Sequence, residues 1–161
     1  MLGPKHLWEI AMLYEVSRTV AARPQTVFKT VADIVHWPLI IESVLSVEML
    51  TSGPIRTGAR LRLTRILFGR EMTGEVEVAA FEPPHRLRVL SESSDIPFDL
   101  DHLIDAVYME GTRLMLVFQT IPGSTAGRTT QEFIAPVVWT RLQEELERDL
   151  NDLVAAVPPD T

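Results

Sequence analysis

The chain has 161 residues, of which 46% are hydrophobic, 23% charged and 7% aromatic; this suits one folded domain and excludes a disordered, collagen-like or membrane-embedded chain. Its formal charge of −7 argues against nucleic acid or an anionic lipid surface as the main partner, because both demand a basic footprint. Cysteine is absent, so disulfides, thiolate nucleophiles and cysteine-ligated metals do not arise.

Residues 1–12 read as an N-terminal extension. The stretch from Met1 to Glu15 carries Lys5, His6 and Glu9 and lacks the continuous apolar run and small-residue cleavage site of a secretion signal. No segment reaches the roughly 18 uninterrupted apolar residues of a membrane-spanning helix. The expected setting is the cytoplasm, with no integral membrane association.

Leu13 to Ala21 reads as a strand with Tyr14, Val16 and Val20 on one face, and Pro24 suits the first turn of a helix. Val27, Phe28, Val31 and Ile34 recur at helical spacing to about Asp33. Trp37-Pro38 then breaks the pattern and starts a second short helix through about Ser43. Val44 to Leu50 alternates Leu45, Val47 and Met49 against Ser46 and Glu48, the period of a half-buried strand, and residues 51–54 form a turn.

Ala59 to Arg65 sets Leu61 and Leu63 against Arg60, Arg62 and Thr64. Arg60 and Arg62 read as a solvated face, whereas Arg65 falls on the inward side near the hairpin end. After a turn at Phe68-Gly69, Arg70 to Phe81 places Met72, Gly74, Val76 and Val78 inward until Pro83-Pro84 forbids further pairing. Arg86 to Leu90 is a further strand, followed by a polar loop from Ser91 to Pro97. Phe98 to Met109 then carries Leu100, His102, Ile104, Ala106 and Tyr108 on one face and Asp99, Asp101 and Asp105 on the other, read as solvated surface. Glu110-Gly111 is a tight-turn signal, and Thr112 to Ile121 is the last strand.

Leu142, Leu146, Leu150, Leu153 and Val157 mark a long C-terminal helix with charge on its other side. Thr129 and Glu132 have capping-box spacing, yet Pro136 requires the helix to start or bend there. The stretch from Gly123 to Thr129 is one residue short of a phosphate loop, has arginine for lysine, and reads as a plain connection.

A strand, two short helices, six hairpin-linked strands and a long helix predict a single α+β domain with a curved seven-stranded antiparallel sheet. Such a sheet offers more inward apolar surface than one helix face can fill, which predicts a ligand-sized cavity.

The chain also resembles the helix-grip fold of START-like and birch-pollen-allergen-like proteins, within them the polyketide cyclase/dehydrase and lipid transport family. The likeness runs from about Tyr14 to Val157. It lies in Val20-Ala-Ala-Arg-Pro24 with Val27-Phe28, Asp33-Ile-Val-His-Trp37-Pro38, Gly53-Pro54 with Thr57-Gly58, Phe81-Glu-Pro-Pro-His-Arg-Leu87, Glu110-Gly-Thr112 and the Leu-rich final helix. The resemblance implies a cavity between sheet and helix for sterols, lipids, polyketides or similar aromatics, sometimes with chemistry done on them. Tetracenomycin-type aromatase/cyclases carry an arginine before the Pro-Pro-like turn, where this chain has Ala80-Phe81-Glu82. That departure favours binding over ring closure.

The expected function is therefore the binding of a small hydrophobic molecule, with Trp37, Ile41, Leu61, Leu63, Arg65, Met72, Val76, Leu100, Phe118, Trp139 and Leu142 as ligand contacts. An alternative is a polyketide aromatase/cyclase or dehydratase with His102 and Tyr108 as proton donor and acceptor. A third is a protein-interaction module through the apolar face of Met115 and Val117, consistent with a homodimer. His6, His36, His85 and His102 show no ligand spacing, so no metal site is expected and no cofactor is implied.

Overall fold

The computed structural model describes residues 12–93, 97–121 and 136–160. Strand β1 (Leu13–Val20) leads into α1 (Pro24–Ala32), a 3-10 turn (Ile34–His36) and α2 (Trp37–Ile40). Six strands follow: β2 (Val44–Met49), β3 (Arg60–Leu67), β4 (Arg70–Glu82), β5 (Arg86–Ser91), β6 (Phe98–Val107) and β7 (Gly111–Thr120). The long helix α3 spans Pro136–Ala156. The 1–12 extension apart from Met12, the Gly123 to Thr129 loop and the Thr129/Glu132 capping pair lie outside the described residues, as does the choice between a start and a bend at Pro136. No helix among the described residues is long and apolar enough to cross a membrane.

All seven strands form one antiparallel sheet in the order β1-β7-β6-β5-β4-β3-β2. Strands β2 to β7 run as a meander, and β1 adds to the last of them. Register shifts between Val44 and Ser46 in β2 and between Val78 and Ala80 in β4 are bulge-like irregularities of the kind that bend strands.

The turns account for where the strands end. Phe68 (φ 55°) and Gly69 (φ 75°) both take positive φ, so β3 runs on to Leu67, past the expected Arg65, before a two-residue turn. At the next hairpin, Met109 (φ 60°) and Gly111 (φ 111°) turn the chain, so β6 stops at Val107 and leaves Tyr108 and Met109 in the turn. A Cβ on Gly111 would sit 2.2 Å from the Val20 carbonyl oxygen. The second short helix ends at Ile40, short of the expected Ser43.

The main core joins Val27 and Val31 of α1 and Ile34 to Leu61, Val78, Leu87 and Ile104 of the sheet and to Leu150 and Leu153 of α3. Phe118, Leu142 and Leu146 form a second cluster toward the start of α3. Polar contacts fix the other end of that helix. Asp152 accepts from the Glu42 backbone N–H at 3.0 Å. Past the helix, Asp160 accepts from the Arg23 N–H (3.1 and 3.2 Å) and the Thr26 hydroxyl (2.7 Å). That carboxylate stands at the N-terminus of α1, where Arg23 supplies no side-chain cap and negative charge is favourable.

The outer sheet face differs from the expected open apolar patch. Met115 and Val117 are half-buried. Asp99, Asp101 and Asp105 are ion-paired to Arg88, Arg86 and Arg113 instead of simply solvated. Among the described residues, the large apolar side chains with the greatest exposure are Tyr108, Met109 and Leu39, in the β6–β7 turn and α2.

Gly69→Ala is expected to lower stability by about 1–2 kcal/mol through its left-handed backbone alone. Gly111→Ala, which adds a backbone collision, is expected to lower it clearly further. Equal losses for the two variants in urea unfolding would contradict this assignment.

Candidate functional site

The inward alternation of β3 brings Leu63, Arg65 and Leu67 to a cavity under α3, and that of β4 brings Met72, Gly74 and Val76. Gly74 pairs with Leu63 and sends no side chain inward. Val89 and Ser91 of β5, Phe98 and Leu100 of β6 and Phe118 of β7 continue the wall, with Trp37 from α2. Leu142, Glu145, Leu146 and Asp149 descend from α3, spaced so that they share one helix face. The cavity volume is about 110 Å³.

Eight expected ligand contacts line this space: Trp37, Leu63, Arg65, Met72, Val76, Leu100, Phe118 and Leu142. Three expected contacts do not. Ile41 and Leu61 are packed into the main core, Leu61 with no exposed surface. Trp139 stands half-buried against Phe118, ring centroids 6.3 Å apart.

The two residues expected to carry acid–base chemistry are not brought together. Tyr108 is 90% exposed in the β6–β7 turn, because β6 ends one residue before it. His102 does lie on the inner face, but it is enclosed behind the cavity wall. Its ring sits 5.9 Å from that of Trp37, whose Nε1–H donates to the Val31 carbonyl at 3.1 Å and holds the indole in place. The His102 Nδ1–H donates to the Leu87 carbonyl at 3.0 Å; a carbonyl only accepts, which assigns the tautomer. Burial pushes the His102 pKa down to about 4, against weaker upward pulls from the Leu87 bond and Asp101, so the imidazole is neutral at pH 7.

The polar end of the cavity is built around Arg65. Its Nη2 donates to Ser43 Oγ (2.8 Å) and to both carboxylate oxygens of Asp149 (2.9 and 3.2 Å), and the Ser43 hydroxyl donates to Asp149 Oδ1 (3.1 Å). The Arg65 Nε is buried with no partner among the described residues. Asp149 is 6% exposed; burial raises its carboxyl pKa, opposed by Arg65 and by the Ser43 hydrogen bond. Glu145, one helical turn earlier, also faces the cavity and accepts from Arg148 at 2.9 Å.

Asp149 was absent from the expected site, although a signal for it existed: it shares the apolar stripe of Leu142, Leu146 and Leu153. A carboxylate there must be paired if it is buried. Phe98, Ser91 and Leu67 were missed because they lie at strand ends, where alternation is hardest to extend.

Residues 13–97, more than half of the chain, match the family model described as polyketide cyclase / dehydrase and lipid transport. None of the curated protein sequences matches the chain. The ZhuI aromatase/cyclase from Streptomyces sp. R1128 superposes with a TM-score of 0.73 at 19% identity, over 92% of this chain and 94% of that one. TTHA0849 from Thermus thermophilus gives 0.72 at 20% identity, over 91% and 97%. Ginseng major latex-like protein 151 from Panax ginseng gives 0.73 at 11%, over 92% and 99%. At these identities the likeness establishes a shared fold, the helix-grip fold in which a curved antiparallel sheet holds a long C-terminal helix.

Unfolded, His102 takes up a proton near its ordinary 6.5, but folded it resists charging until about pH 4. The unfolded chain therefore binds more protons in that window, and the stability His102 contributes is present above pH 6.5 and lost as pH falls toward 4. The loss is expected to be about 3 kcal/mol. Asp149, shifted upward, acts in the opposite sense, so the difference from His102→Gln isolates the histidine. Urea unfolding across this range is expected to give a flatter profile for the variant. Parallel profiles would place a solvated, ordinary imidazole at position 102.

Proposed function

Because the chain belongs to the polyketide cyclase / dehydrase and lipid transport family, we propose that it binds a small hydrophobic molecule in the cavity between the sheet and α3. The observation that carries this reading is the cavity lining itself: Leu63, Met72, Val76, Leu100, Phe118 and Leu142 converge on a space that no described side chain fills. Burying a ligand's apolar surface there supplies affinity at roughly 25 cal/mol per Å² before the costs of association.

Size narrows the ligand. An apolar cavity of about 150 Å³ accepts benzene, and about 110 Å³ is available here. A single ring or a short acyl chain fits with small side-chain adjustments. A polycyclic ligand requires the wall to open, with the flexible Met72 the readiest to move. Arg65, which uses only Nη2 toward its described partners, has a further N–H edge to offer a ligand oxygen.

Ring closure or dehydration needs a proton donor and acceptor at the ligand. Tyr108 is outside the cavity, His102 is walled off behind Trp37, and Ala80-Phe81-Glu82 carries no arginine. Binding is therefore the reading the geometry favours over catalysis by His102 and Tyr108.

Leu100→Trp puts an indole into the cavity and is expected to weaken binding of any single-ring ligand at least about tenfold, or ~1.4 kcal/mol. Native mass spectrometry and titration calorimetry on the folded variant measure it. Unchanged affinity would place the ligand elsewhere.

A further inference from the structure

Arg65 is the one cation among the described residues lining the cavity, whose lining also carries two carboxylates, Asp149 and Glu145. Asp149 holds both oxygens within 3.2 Å of Arg65 Nη2, and Ser43 braces the same carboxylate. The pair is well shielded, Arg65 at 24% and Asp149 at 9% side-chain exposure, so solvent screens it little. Glu145 has its own partner, Arg148, which lies on the exposed side of α3.

A ligand arriving at this end therefore does not meet a free guanidinium. A ligand carboxylate would bring a second negative group to an arginine that Asp149 already neutralises. It would have to leave water, enter a poorly screened site and face Asp149 at close range. A neutral amide, ketone or alcohol oxygen meets no such repulsion and can accept a hydrogen bond from Arg65.

Resting on the ligand-binding reading above, the geometry points to a cavity that admits uncharged hydrophobic molecules bearing one hydrogen-bond acceptor and rejects organic acids of the same shape, with Asp149 as the residue that sets this selectivity. Asp149 acts by neutralising Arg65 in advance. Without it, the same arginine would be a carboxylate-binding group.

The test compares 3-phenylpropanamide, 3-phenylpropanoic acid and butylbenzene at pH 7 by calorimetry and by chemical-shift titration of the full chain. The amide is expected to bind at least about tenfold more tightly than the acid, a difference of ~1.4 kcal/mol. Asp149→Asn keeps a side chain that can bond Ser43 and is expected to bring the two affinities together or to reverse their order. A merely structural role for Asp149 would weaken both ligands alike and leave their ratio unchanged.

Acid binding as tight as the amide in the unaltered protein overturns the selectivity while leaving the binding function standing. So does butylbenzene binding with both polar compounds silent. If none of the three binds, the cavity function itself fails and the selectivity falls with it. Should Asp149→Asn not fold, as circular dichroism would show, the amide-to-acid ratio of the unaltered protein decides alone.

Discussion

Asp149 stands on the face of α3 that also carries Leu142, Leu146, Leu150 and Leu153, and that face packs against the sheet. A carboxylate in such a place is tolerable only if it is paired. Of the described cationic side chains, Arg65 is the one that meets it, so helix and sheet settle in the relative position that joins the two. Ser43 completes the joint from the segment after α2. Asp152 and Asp160 extend the attachment along the same end of the molecule, gripping the backbone at Glu42 and Arg23. The C-terminal part of α3 is thus fixed by polar bonds as well as by Leu150 and Leu153, while its first turns rest on Phe118, Leu142 and Leu146.

The cavity follows from this arrangement and from the shape of the sheet. With α3 held at one end by Asp149, the inward side chains of β3 to β7 meet it around a space and do not close it. Gly74 sends nothing inward between Met72 and Val76, and the aromatic pair Phe98 and Phe118, stacked at 5.8 Å, forms a firm wall. Trp37 closes the far side and separates the cavity from His102. One ion pair thus both positions the helix and sets the electrostatic character of the site that the helix roofs.

Strand alternation and helical periodicity carried the fold in the sequence: β2 to β7, α1 and α3 lie within a few residues of where their patterns placed them. Alternation also found Leu63, Arg65, Met72, Val76 and Leu100, because inward residues on a curved sheet point to one side. It failed where a strand ended early. Tyr108 shares the parity of His102, but Met109 and Gly111 turn the chain before that parity has meaning. It also could not tell cavity from core: Leu61 and Leu63 face the same way, yet the first is packed solid and the second lines a space. Depth along the sheet is a tertiary property that no period encodes. Asp149 was legible as an anomaly in the stripe of α3, but its partner lies 84 positions away.

Sheet and helix together leave an apolar space at their junction, large enough for a small ligand to occupy. Diffraction from xenon-pressurised crystals tests it most directly, since xenon enters dry apolar cavities. An anomalous peak is expected among Leu63, Leu100, Phe118 and Leu142, with the Arg65–Asp149 pair unmoved. No peak there, with those four side chains closed onto one another, would contradict it.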